Sequence, residues 1–276
     1  MSDYSIRSRY LPPYQAIFAV DVKDFSAFES VAQAGITARI RPIVAAAFRR
    51  CGLGEIWDEE RWHRVIGDAY VAGFPTRALP LLIHPLLDAL QVQLEEENRV
   101  SRDGRPSRPL RMRASIHVGP ITDADDDPVT DGSGAARVET HRLLDSAEVK
   151  QVLSRAGDGT LVAAIVSDRA FTDAVLGGFC ALGPDRFTSV EVAVKQYRGS
   201  AWLAVPVASG DLLARGIRPL TEEGDAEAGD ASAHQGAQVI GIGSIAGDAT
   251  NVFVGNSGSI STVDDPDRLR RPRRRR

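Results

Sequence analysis

The chain has 276 residues, enough for one large domain or one domain with extensions. Its 43% hydrophobic and 25% charged content are ordinary for a globular protein, and its formal net charge of −4 offers no global attraction to nucleic acid or to an anionic membrane. Two cysteines in no metal-like spacing argue against a disulfide scaffold or a zinc site. Without a signal-like N-terminus or an apolar run near the ~20 residues of a membrane helix, a reducing cytoplasm is the expected location.

Tyr14 to Val22 (YQAIFAVDV) is a short apolar run rich in β-formers and reads as a buried strand. Asp24-Phe-Ser26 reads as a turn and helix cap. Phe28 to Cys51 has helical spacing and high alanine content, with Gly52 and Gly54 closing it. Arg61 to Phe74 reads as two strands joined by a hairpin turn at Gly67-Asp68. Leu79 to Asn98 is an apolar-periodic helix. A polar stretch from Ser101 to Arg108 leads into a strand over Leu110 to Val118, ended by Gly119-Pro120. Asp123 to Gly134 is an acidic, glycine-bearing loop, and Ala135 to Ala156 reads as one helix. Leu161 to Val166, Ser189 to Val194 and Ala201 to Val205 read as strands, with a short helix over Asp168 to Leu176.

The order β-α-β-β-α-β with elements appended matches the ferredoxin-like split-βαβ layout, an α+β fold. The expected organisation is a lead over 1–13, a globular domain over 14–207, a Gly/Ala/Asp/Glu linker over 208–237, a β-prone segment over 238–262 and an Arg-rich tail over 263–276. The β-prone segment holds two clusters, Gln238-Val-Ile-Gly241 and Asn251-Val-Phe-Val-Gly255, each an amide followed by apolar residues and a glycine. Such clusters suit stacking of identical chains through amide ladders, or docking of an effector. A weakly structured extension is the plainer reading. The Arg-rich end reads as a solvated tail, and nucleic acid is not the expected partner.

Two carboxylates carry the chemistry. Asp21 lies inside an apolar strand, where an unpaired carboxylate is costly to bury, and Asp68 sits on the hairpin turn. Mg²⁺ and Mn²⁺ take hard oxygen ligands, often one or two carboxylates together with substrate phosphates and water. Carboxylates at facing strand and hairpin positions suit two such ions.

The surrounding residues resemble the class III nucleotidyl cyclases. Phe18-Ala-Val-Asp21-Val-Lys-Asp-Phe-Ser26 resembles that family's first-strand motif, and Arg64-Val-Ile-Gly-Asp68-Ala-Tyr-Val-Ala72 resembles its metal hairpin. Arg111-Met-Arg-Ala-Ser-Ile-His-Val-Gly-Pro120 resembles the following strand, and Arg142-Leu-Leu-Asp-Ser146 the arginine-bearing helix. The four stand in family order across roughly Ala16 to Val205. The resemblance implies an enzyme that converts a nucleoside triphosphate into a 3',5'-cyclic nucleotide and pyrophosphate.

It also implies roles. Asp21, Asp68 and the Val22 carbonyl would hold two Mn²⁺ or Mg²⁺ ions, and Arg142 would stabilise phosphate charge in the transition state. Phe25, Arg64 and Asp131 fall at nucleotide-contacting positions, Arg64 where purine cyclases select the base and Asp131 where adenylyl cyclases read adenine. The family supplies the carboxylates and the arginine from different subunits, so a symmetric homodimer is implied. One position departs from the pattern: Val138 stands where the family usually has an asparagine, which keeps open a degenerate, non-catalytic adaptor that binds nucleotide. A guanidinium at position 64 can donate two hydrogen bonds to carbonyl acceptors, of which uracil has two. In this and in its compact single domain, the chain looks like the pyrimidine cyclases of bacterial antiphage systems, with UTP favoured over CTP.

Overall fold

The computed structural model describes residues 10–101, 108–122 and 132–218. Asp131, the polar stretch 102–107, the greater part of the linker, the β-prone segment 238–262 and the Arg-rich tail lie outside the described residues.

The first strand, β1, runs Tyr14–Val22 as its sequence predicts. A single 3-10 turn over Phe25–Ala27 follows, entered through Asp24 in the left-handed region (φ 54). Helix α1 spans Ser30–Arg50 and contains Pro42. Its first half is largely exposed and its second half buried, so packing of Ile40, Ile43, Val44, Ala47 and Phe48 holds it rather than its N-terminal turns. Gly52 (φ 77) closes α1, but Gly54 does not act as a breaker. It opens a short helix, α2 (Gly54–Asp58), whose Trp57 packs against Phe48 at 5.3 Å.

Strands β2 (Trp62–Ile66) and β3 (Ala69–Pro75) form the expected hairpin around Gly67-Asp68, with Gly67 at φ 60. The helix expected over Leu79 to Asn98 is two helices, α3 (Leu79–Ile83) and α4 (Leu86–Ser101). Pro85 between them has no N–H to continue the ladder, which apolar periodicity alone does not register. Strand β4 is Met112–Pro120.

The helix expected over Ala135 to Ala156 also divides, into α5 (Ala135–Leu144) and α6 (Ala147–Arg155), because Ser146 takes an extended conformation at the position before α6. Strand β5 (Val162–Ser167), helix α7 (Asp168–Phe171) with a π-helical turn over Thr172–Leu176, and the hairpin β6 (Thr188–Val194) and β7 (Tyr197–Ala204) complete the sheet. Packing continues past Val207. Helix α8 (Asp211–Arg215) buries Leu212 against α6 and β5, and Gly210 bridges to Ala156.

The seven strands lie in the order β2-β3-β1-β4-β5-β7-β6. All neighbours are antiparallel except β4 and β5. The first four strands with their two helical crossovers are the split βαβ unit. Alternation along β1 divides the core. Ala16, Phe18, Val20 and Val22 face α1 and α4, while Ile17 and Ala19 face the opposite side with Trp62, Val71 and Leu144. Helices α5 and α6 cover that second face. Among the described residues no helix is long and apolar enough to cross a membrane.

Candidate functional site

Asp21 continues the Ile17 and Ala19 series, so its carboxylate emerges on the α5 face near the end of β1. Residue 21 pairs with Ala69, and the Val22 N–H donates to the Asp68 carbonyl at 3.1 Å. Asp21, Val22 and Asp68 therefore come together where the hairpin meets β1. Asp21 is 7% exposed. Burial pushes its carboxyl up to about 6, against the lowering effect of the Arg113 guanidinium, and the charges of Asp68 and Asp145 push the same way as burial. Asp68 itself is half-buried.

Arg113 stands directly across the β1–β4 pair from Asp21. Its Nε donates to Asp21 Oδ1 and its Nη2 to Oδ2, both at 2.7 Å, a bidentate charge-assisted pair. The sequence carries a signal for it: in Arg111-Met-Arg-Ala-Ser-Ile-His117 the odd positions share a face, and two of them are cationic inside a strand. The partner depends on strand register, which the sequence does not state.

Cross-strand rows place the other residues. Arg64 pairs with Val71, which pairs with Ala19, so Arg64 lies on the Asp21 face, on the edge strand two places from β1. Its Nη1 donates to the His63 carbonyl at 2.7 Å. Next to it the Trp62 indole N–H donates to Gln15 Oε1 at 2.8 Å, and Gly132 lies so close to the ring that a Cβ there would overlap it. That contact fixes the residue after Asp131 beside β2. Phe25 is half-buried against the α1–α4 core, away from the Asp21 face.

Arg142 lies on α5, half-buried, and donates to Gln196 Oε1 at 3.0 Å. Gln196 and Lys195 (φ 54) form the tip of the β6–β7 hairpin, so the structure brings Gln196 to Arg142, a contact that sequence reading did not single out. Among the described residues Arg142 hydrogen-bonds Gln196 and neither Asp21 nor Asp68. Val138, one helical turn before Arg142, is 43% exposed. Its neighbours are turned elsewhere. Arg137 lies 6.0 Å from the Trp62 ring centroid, and the Glu139 carboxylate sits 3.2 Å from His117 Nε2. Burial holds His117 down at about 4, with the Arg169 charge adding to the effect, so the ring is neutral and its Nε2–H faces Glu139. Its Nδ1 is buried without a hydrogen-bond partner among the described residues.

The donor set suits a hard divalent cation. Two acidic residues and a backbone carbonyl come together at the end of β1, and burial disfavours the charged form of Asp21 even with Arg113 beside it, a cost that a bound cation would relieve. Among the described residues no three His, Cys, Asp or Glu side chains gather into a metal-binding group, so the remaining ligands would come from backbone, water or substrate phosphates.

No protein-family model matches the chain, and no curated protein matches it. Several solved structures do. An adenylate/guanylate cyclase/hydrolase from Silicibacter pomeroyi aligns with 71% of this chain and 98% of its own, at 18% identity and a TM-score of 0.47. An adenylyl cyclase from P. aeruginosa aligns with 71% of this chain and 94% of its own, at 14% identity and 0.46. The guanylyl cyclase domain of a fusion protein from the aquatic fungus Blastocladiella emersonii aligns with 70% of this chain and 94% of its own, at 13% identity and 0.45. Likeness at this level says nothing of activity.

Proposed function

We propose that the chain is a nucleotidyl cyclase, with UTP its favoured substrate and a second-messenger role in bacterial antiphage defence. The observation that carries the activity is the junction of β1 with the β2–β3 hairpin. There Asp21 and Asp68 lie together at the end of β1, and Asp21 is a buried carboxylate whose pairing with Arg113 does not fully offset the cost of burial.

In the reaction the ribose 3'-oxygen forms a bond to the α-phosphorus and the bond from that phosphorus to the bridging oxygen breaks. Pyrophosphate leaves, and the hydroxyl proton passes to water. Asp21, Asp68 and the Val22 carbonyl would hold Mn²⁺ or Mg²⁺. Such ions lower the pKa of an attacking hydroxyl and neutralise the leaving pyrophosphate. Arg142 supplies a planar guanidinium, suited to the charge that builds on the phosphates. Since Arg142 bonds to neither carboxylate within one chain, a homodimer would pair the carboxylates of one protomer with the arginine of its partner. Arg64 lies on the same face as Asp21 and supports recognition of a base with two carbonyl oxygens.

Incubating the protein with Mn²⁺ and each of the four nucleoside triphosphates, then weighing the products, tests both parts. Cyclic UMP as the main product supports the reading. A different cyclic nucleotide corrects the base, and no cyclic product from any of them ends the proposal.

Val138 supports a second reading. An exposed apolar side chain at position 138, one turn before Arg142, offers the ribose no polar group, and Arg137 and Glu139 are turned to other partners. A nucleotide-binding adaptor without turnover would show saturable binding of a triphosphate that is recovered intact.

A further inference from the structure

We infer that Arg113 is a built-in competitor for the metal site: its guanidinium occupies both oxygens of Asp21, and a divalent cation can take that carboxylate only by displacing it. The inference rests on the metal-dependent reading above.

The guanidinium holds both oxygens of the carboxylate. Nε and Nη2 engage Oδ1 and Oδ2 at 2.7 Å each, with the two side chains 13% and 10% exposed. Both hydrogen bonds of Arg113 go to Asp21 among the described residues. A cation chelated between both oxygens of Asp21 would sit where the guanidinium fork now lies, and on the remaining lone pairs it would face the guanidinium charge across one carboxylate.

The neighbouring arginine provides a contrast. Arg111 donates through Nε to the Thr160 carbonyl at 2.9 Å and through Nη2 to the Leu153 carbonyl at 2.8 Å, ending α6 and binding it to the sheet. Arg111 fastens the fold, whereas the hydrogen bonds of Arg113 among the described residues go to the Asp21 carboxylate, its charge also reaching Asp24. The backbone of Arg113 cannot yield, being paired with β1 on one side and β5 on the other, so the side chain itself must swing away. Free cation alone then binds weakly. Arrival together with a polyanion is favoured, because the anion gives the displaced guanidinium a new partner. Arg113 is a positioning residue in this sense: it sets the order in which the site fills.

Mn²⁺ binding to nucleotide-free protein at pH 8, followed by electron paramagnetic resonance, tests this without turnover. Arg113→Met is expected to bind Mn²⁺ on the order of tenfold more tightly than wild type, as expected when one charge-assisted competitor is removed. Arg113→Lys, which keeps the charge but not the fork, should fall between and secures the comparison if the methionine variant does not fold. Equal or weaker binding by both variants, while Asp68→Asn still weakens the wild type, overturns the inference and leaves the metal site standing. Binding that ignores Asp68→Asn, or no binding by any form, overturns the metal site as well. In the wild type, the Arg113 Nε–H resonance should shift on saturation with Mg²⁺, and an unmoved resonance counts against displacement.

Discussion

Asp21 is buried beside a guanidinium, and the two influences oppose each other. Burial prevails, holding the carboxyl near 6 rather than the ordinary 3.8. The folded protein therefore keeps a proton that the unfolded chain has already released. Between about 4 and 6 this costs stability as pH rises, reaching about 3 kcal/mol above pH 6 and vanishing below the unfolded value.

His117 acts in the opposite sense. Held at about 4 instead of 6.5, it stays neutral while the unfolded chain protonates, so its contribution falls as pH drops from 6.5 to 4. The wild-type profile thus blends two opposed slopes. Subtracting the profile of Asp21→Asn, which keeps His117, isolates Asp21 as long as the two sites act independently. Urea unfolding of both proteins from pH 4 to 8, followed by circular dichroism, gives the curve. The stability of wild type relative to Asp21→Asn should fall by about 3 kcal/mol as pH rises through this window. A flat difference, or one that rises with pH, would mean that Arg113 outweighs burial and would refute the reasoning.

Four further outcomes follow from particular contacts. A Cβ on Gly119 would lie 2.6 Å from the Ala136 Cβ, so Gly119→Ala should push α5 off β4 and lower stability by about 1–3 kcal/mol in a thermal melt. Gly35→Ala, with open space around it inside α1, should instead stabilise by about 0.5–1 kcal/mol in the same assay. Phe48 stacks on Phe74 at 5.2 Å and meets Trp57, so Phe48→Ala should cost about 3–5 kcal/mol in urea unfolding. Asp21→Asn and Arg142→Ala should each be inactive alone, while their mixture regains turnover through mixed dimers; a mixture that stays inactive speaks against a shared site.

Much of the fold is legible because its signals are local. β1 is an unbroken apolar run, and Gly67-Asp68 marks a turn between two β-rich stretches, so both appear where the sequence puts them. The errors arise where two signals compete. Apolar periodicity runs on through Pro85 and Ser146, so the breaks between α3 and α4 and between α5 and α6 depend on single residues inside a continuing pattern. Gly54 was expected to end a helix because glycine does so commonly, yet the burial of Trp57 against Phe48 sustains a further helical turn.

The site divides the same way. Asp21 and Asp68 stand out in the sequence because each is a carboxylate in a place with its own signature, a strand interior and a hairpin turn. Arg113 and the Lys195–Gln196 tip do not, because their meaning comes from what lies across the sheet. Only register sets Arg113 opposite Asp21, and only the fold of the β6–β7 hairpin over α5 brings Gln196 to Arg142.

Asp21 and Asp68 together are expected to support cyclisation of a nucleoside triphosphate. Its most direct measurement is the rate of cyclic nucleotide and pyrophosphate formation from α-labelled UTP in Mn²⁺, compared between wild type, Asp21→Asn and Asp68→Asn. Equimolar products from wild type, with a loss on the order of a hundredfold or more in each variant, is the predicted result. Turnover that persists undiminished in both variants would contradict it.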